Sequence, residues 1–174
     1  MTAPLLTTER LELWRPRAGD LPSLLELMAP EDTRRFLGNA VPDARSQFDR
    51  LLRSAGSWAL YGYGNFFVRR PGEDAILGSC GVFHSYRGFG QGMDDVPEAG
   101  WIIRNDCWGQ GYAGEAMRAI LHWFDATHGP RRIAAMIEEG NAASERVAGL
   151  LGFARYGRQE YEGAQLNLFE RLRG

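Results

Sequence analysis

Lysine is missing from this chain: all 20 basic side chains are arginine. A phosphate loop of the G-x-x-x-x-G-K-[ST] kind is thereby excluded, because its lysine is what reaches the outer phosphates. The arginine-only usage reads first as compositional bias, although guanidinium groups also suit phosphate recognition. Cysteine is scarce too. Cys80 and Cys107 are the only two in 174 residues; each lies in an apolar stretch, so buried thiols are expected and no disulfide framework. Three histidines, with no cysteine or carboxylate cluster at ligand spacing, imply no metal. No run approaches the roughly 18 apolar residues that a membrane span requires, and Met1 to Leu13 lacks the apolar core of a signal peptide. No membrane association and a cytoplasmic location follow as expectations. Excess positive charge is also lacking. A formal net charge of −2 and a pI near 5.9 argue against a nucleic-acid partner.

What is present suits one domain with one substantial core, at 174 residues, 44% hydrophobic and 24% charged. Arg10 to Arg15 alternates in character and predicts a first strand. Asp20 offers an N-cap to a helix carrying Leu21, Leu24, Leu25 and Met28. A second helix is predicted from Asp43 to Arg53, with Phe48, Leu51 and Leu52 on its apolar face, and residues 30–42 between the two read as irregular. Trp58 to Arg69, Ala75 to Phe83 and Glu98 to Arg104 read as strands. The turn Pro71-Gly72-Glu73-Asp74 joins the first pair, and a loop from His84 to Pro97 the second. Ala113, Ala116, Met117, Ile120, Leu121 and Phe124 form a single stripe of helical period. A buried strand from Arg132 to Ile137 follows, then a helix capped by Asn141 with Val147, Leu150 and Leu151 inward. Strands near Phe153 to Gln159 and Ala164 to Leu172 close the chain. This order implies an α/β fold, a mixed sheet with helices on both faces.

The densest signal is Trp108-Gly109-Gln110-Gly111-Tyr112-Ala113-Gly114, between a strand and the best-specified helix. Glycines let the backbone turn and approach a ligand closely, and the free N–H groups of a helix start favour an anion. A phosphorylated ligand is the expectation. As a string, Gly109-x-Gly111-x-x-Gly114 also fits the dinucleotide fingerprint. That motif opens a first βαβ unit, whereas several elements precede this one.

These residues resemble the GNAT superfamily of N-acetyltransferases, whose [Q/R]-x-x-G-x-[G/A] turn is matched by Gly111 and Ala113, with Trp108 in the Gln/Arg position. An aromatic there, followed by Gly-x-Gly-Tyr-Ala, is similar to the RimJ/RimL-type branch of ribosomal-protein acetyltransferases. Thr7 to Arg15, Gly78-Ser79-Cys80-Gly81, Asn141-x-x-Ser144 and Leu151-Gly152-Phe153 extend the resemblance over nearly the whole chain. It implies a mostly antiparallel sheet of about seven strands, splayed between its fourth and fifth. It also implies acetyl-CoA as cosubstrate and an amine acceptor, a peptide N-terminus or a small molecule, with self-association as a homodimer left open.

By the same resemblance, the cofactor residues are Ile102, Ile103, Arg104, Trp108, Gly109, Gln110, Gly111, Tyr112, Ala113, Gly114, Asn141 and Ser144. An amide around Ile102 or Ile103 would take the acetyl carbonyl. The usual tyrosine acid is replaced by Ala148, which leaves Ser144 as the candidate proton donor, with plain helix capping as the competing reading. Glu98 is the candidate general base and His84 the runner-up; His122 and His128 read as surface residues. An α-amine is about 10–15% neutral at pH 7 and a lysine amine about 0.04%, so a weak base suits α-amines. Trp58 to Phe67 and the loop from Gly88 to Asp95 could line the acceptor side, with Asp94 and Asp95 attracting a cationic amine. The missing tyrosine keeps a second reading alive, a catalytically weak acyl-CoA-binding sensor or interaction module.

Overall fold

The computed structural model describes residues 3–38 and 41–172. Its strands are β1 (Leu6–Thr7), β2 (Glu12–Trp14), β3 (Asn65–Arg69), β4 (Gly78–Ser85), β5 (Val96–Ile103), β6 (Ile133–Glu138), β7 (Ala154–Tyr161) and β8 (Ala164–Arg171). Its helices are α1 (Leu21–Met28), α2 (Glu31–Arg34), α3 (Ala44–Tyr61), α4 (Tyr112–His128) and α5 (Ala142–Leu150). The strands form one eight-stranded sheet in the order β1-β2-β3-β4-β5-β6-β8-β7. Every neighbouring pair is antiparallel except β5 and β6. The expected first strand is two short ones, because the chain reverses between Thr7 and Glu12; this makes eight strands of the expected seven.

The position of the site follows from the single parallel junction. β4 and β5 pair from Gly78↔Ile103 to Ser85↔Val96, whereas β5 and β6 share only Glu98↔Ala134. Beyond that point the two strands part, opening the expected gap in the sheet. Helices cover both faces because β3 alternates. Phe66 and Val68 pack with Ala116, Met117, Ile120 and Phe124 of α4. Phe67, from the other face, packs with Leu24, Leu27 and Met28 of α1 and Leu51 of α3. The predicted α4 stripe is buried from Ala116 to Phe124, with Ala113 packed at its margin. Each large side chain so buried contributes about 1.5–3 kcal/mol.

Other expectations need correction. The helix predicted to stop at Arg53 continues to Tyr61, ending in Gly62 with φ 76°; aromatic content had made Trp58 to Tyr61 look like strand. Phe48 and Leu52 are 47% and 53% exposed, and only Leu51 of that trio is buried. At α5, Leu151 is buried and Val147 packs against the core as expected, but Leu150 is 70% exposed and Ala148 is buried in its stead. Asp20 does not cap α1 with its side chain. Its carboxylate instead pairs with the buried Arg69 guanidinium at 2.6 Å. The stretch 30–42 contains α2, and its residues 39–40 lie outside the described residues.

Candidate active site

The C-terminal end of β5 leads through a single 3-10 turn into the glycine segment and α4. Gly109 and Gly111 have φ of 73° and 78°, a left-handed conformation that any side chain would strain. A Cβ on Gly109 would meet nothing within 4 Å, and on Gly111 only the Arg10 guanidinium at 3.7 Å. These glycines are therefore required by backbone conformation, and the space in front of them is open. No amide from Gly109 to Gly114 has an acceptor among the described residues; the first helical bond is Glu115 N–H to Gly111 O, 3.0 Å. A run of aimed N–H groups at the positive end of a 17-residue helix is an anion cradle.

Its surroundings are cationic. Arg10 and Arg70 lie over the Tyr112 ring at 4.6 and 5.9 Å, and Arg118 reaches the space beside Gly114. The first-turn acid, Glu115, would oppose an anion, but it is neutralised locally. Thr8 donates to it at 2.6 Å and Arg10 Nε at 2.7 Å. Burial works to raise the Glu115 carboxyl, and the Thr8 and Arg10 hydrogen bonds overcome it, holding it below its ordinary value. Trp108, half-exposed, donates its indole N–H to Ile103 O at 2.8 Å. The polar groups of Arg104 are engaged, its amide by Leu77 O at 2.8 Å and its guanidinium by Asp106 at 2.6 Å.

Strand register separates the two isoleucines. Arg104 bonds Leu77, so Arg104 and Ile102 direct their amides toward β4, while Ile103 and Trp101 direct theirs into the gap. Ile103, not Ile102, is thus placed to donate to a ligand there. Ile102 instead lines a cavity of about 640 Å³, along with Glu98, Asn141 and Ser144. Asn141 accepts from Ser144 N–H at 3.2 Å, which is the capping role. The Ser144 hydroxyl has no partner among the described residues, and Ala148, in the tyrosine position, is fully buried.

Glu98 is not a solvated strand end. It is 2% exposed, and its two oxygens accept from Arg87 at 2.6 and 2.9 Å. Burial alone would lower the Arg87 guanidinium; the Glu98 carboxylate overrides that and raises it. His84 is also committed. Its Nε2 lies 2.7 Å from Asp95 and its Nδ1 2.8 Å from the Tyr63 hydroxyl, with Tyr61 stacked on the ring at 3.8 Å. A proton on Nε2 toward the carboxylate makes Tyr63 the donor to Nδ1. Asp94 braces its own loop by accepting from Gly88 and Gly90 N–H. His128, expected at the surface, is half-buried among Tyr63, Trp123 and Phe124. Burial pushes the Cys80 thiol up to about 12, so it is no nucleophile.

Residues 10–154 match the acetyltransferase (GNAT) domain family. The chain is 24% identical over 167 residues to the uncharacterized N-acetyltransferase p20 of Bacillus licheniformis, covering 95% of this chain and 91% of that one. A Bordetella pertussis protein assigned to the GnaT acetyltransferase family superposes with TM-score 0.86 at 32% identity, covering 95% and 98% of the two chains. RimL, a ribosomal L7/L12 alpha-N-protein acetyltransferase solved with coenzyme A, shares the fold at TM-score 0.76 and 16% identity, with 97% of each chain covered. The chain belongs to the GNAT acetyltransferase family. It is an acetyl-CoA-dependent acyltransferase.

Sequence reasoning missed Arg87 and the lining arginines Arg50 and Arg53, and included Tyr63 only within the stretch Trp58 to Phe67. No local signal marks Arg87. The α3 pair was detectable, because Arg50, Arg53, Ser54 and Ser57 share helical spacing.

Proposed function

We propose that this enzyme moves an acetyl group from acetyl-CoA to a primary amine by direct attack in a ternary complex. The observation that carries this is the unpartnered amide run from Gly109 to Gly114, beside the gap between β5 and β6. These amides hold the donor's pyrophosphate, with Arg70 and Arg118 adding positive charge around it while Arg10 offsets Glu115. The Ile103 amide donates to the thioester carbonyl as negative charge builds on it. Ile102 and Asn141 wall the pantetheine arm, and the free Ser144 hydroxyl donates to the departing thiolate.

As the nitrogen–carbon bond forms and the carbon–sulfur bond breaks, the amine must also lose a proton. Glu98 has both oxygens on Arg87 and His84 has both nitrogens engaged, so neither is free to take it directly. The acceptor then enters neutral, the proton it sheds as the amide forms passes to solvent, and Ser144 regains from solvent the proton it gave to the thiolate. Neutral entry favours peptide α-amines, of which about 10–15% are neutral at pH 7. The fold likeness to RimL supports a protein N-terminus within this class. The test is thiol release from acetyl-CoA with a panel of α- and ε-amines, products identified by mass. Turnover with α-amines supports the proposal; tight acetyl-CoA binding without turnover across the panel would favour a sensor or interaction module.

A further inference from the structure

Helix α3 packs on the sheet through Leu51 and, near its end, Trp58, but leaves other apolar residues outside. Phe48, Leu52 and Leu60 are 47%, 53% and 79% exposed, while Arg50, Arg53, Ser54 and Ser57, at i, i+3, i+4 and i+7, line the cavity. An amphipathic helix ordinarily buries its apolar stripe; of the polar positions on this side Ser57 has partners, donating to Tyr63 O and accepting from His84 N–H. Arg50 and Arg53 have none: neither bonds a carboxylate or a carbonyl among the described residues. The third arginine of the cavity, Arg87, is committed to Glu98. Arg50 is half-buried and Arg53 exposed; burial, and after it the charge of Arg53, lowers the Arg50 guanidinium, and an anion beside the two would favour its charged form. The other cavity acids, Glu138 at the end of β6 and Glu162 in the β7–β8 turn, stand on other elements and pair with neither arginine.

We propose that the acetyl acceptor is an amine bearing a carboxylate, which Arg50 and Arg53 bind while the amine points into the gap between β5 and β6. The inference rests on the acetyltransferase reading above and deepens it. Guanidinium forks match a carboxylate in two-point geometry, which supplies orientation along with attraction. The acceptor's charge, and not its apolar bulk, then decides selection.

The test uses acceptors that differ in that charge: glycine against glycinamide, with rates taken per neutral amine because the carboxylate raises glycine's amine pKa, and Ser-Glu-Glu-amide against Ser-Gln-Gln-amide, with acetyl-CoA and thiol release as readout. The wild type should favour the anionic member of at least one pair by roughly 10- to 100-fold in kcat/KM. Preference in the first pair indicates a free amino acid, and in the second an acidic peptide. In the double variant Arg50→Gln/Arg53→Gln the anionic-to-neutral ratio should collapse toward one, with acetyl-CoA affinity retained as the control for folding. Arg50→Lys alone should keep part of the preference. Equal rates within both pairs, or a wild-type ratio that survives the double variant, would overturn the proposal. If nothing turns over, the transfer reading fails on this panel, and calorimetric titration with the same four compounds decides: an anionic preference abolished in the double variant supports the anion site, and no preference overturns it.

Discussion

The proposed donor turn and the proposed acceptor wall are made of different material. From Gly109 to Gly114 the working groups are main-chain amides, and the glycines matter because two of them hold φ near +75°. The proposed acceptor wall is made of side chains from distant segments: Arg87 with Glu98, His84 held from behind by Tyr63 and Asp95, and Arg50 and Arg53 on α3. Donor recognition is thus written locally, in a few consecutive residues. Acceptor recognition is written in tertiary structure, where one substitution can change selectivity and leave the donor site intact.

The largest effect should come from putting a side chain into the turn. Gly111→Glu adds a Cβ at φ 78° and a carboxylate in the anion cradle. Acetyl-CoA affinity should fall by more than about 100-fold by calorimetry, and normal affinity would break the donor assignment. Next, Ser144→Ala should lower turnover by roughly 10- to 100-fold while acetyl-CoA affinity holds. Unchanged turnover would reduce Ser144 to a first-turn helix residue. On the acceptor side, Glu98→Gln leaves Arg87 without its counter-charge. Because Arg87 is partly solvated, the loss should be about 2–3 kcal/mol in denaturant unfolding. In both proteins kcat/KM for an α-amine should rise with pH toward the amine's own pKa near 7.8. A limb lost in the variant would instead make Glu98 the base.

The smallest effect concerns the wall behind the acceptor side. Burial, followed by the Arg131 charge, lowers the His128 pKa below its ordinary 6.5. The folded state therefore binds that proton less readily than the unfolded chain. This contribution to stability is complete above the unfolded value and is lost as pH falls below it. His128→Phe should flatten that part of the stability–pH curve.

These contrasts explain what was legible. The stripe from Ala116 to Phe124, the glycine turn and the Asn141 cap each depend on neighbours within one helical turn or so, and each was readable as residue spacing. The gap between β5 and β6 came only through family resemblance, because it depends on strands about 35 residues apart failing to pair. Glu98 was placed beside the site but given the wrong surroundings, since nothing in Glu98-Ala99-Gly100 announces Arg87. α3 misled twice. Its aromatic end imitated a strand, and Phe48 and Leu52 imitated a buried stripe although the helix buries Gln47, Leu51, Ser54 and Ser57 instead.

The most direct test of the donor account is amide-resolved NMR of the protein titrated with coenzyme A. The account predicts that the largest shifts fall on the amides of Gly109, Gly111, Tyr112, Ala113 and Gly114, saturating together with binding. If coenzyme A binds while those amides stay unmoved, the turn does not hold the donor and the account is wrong.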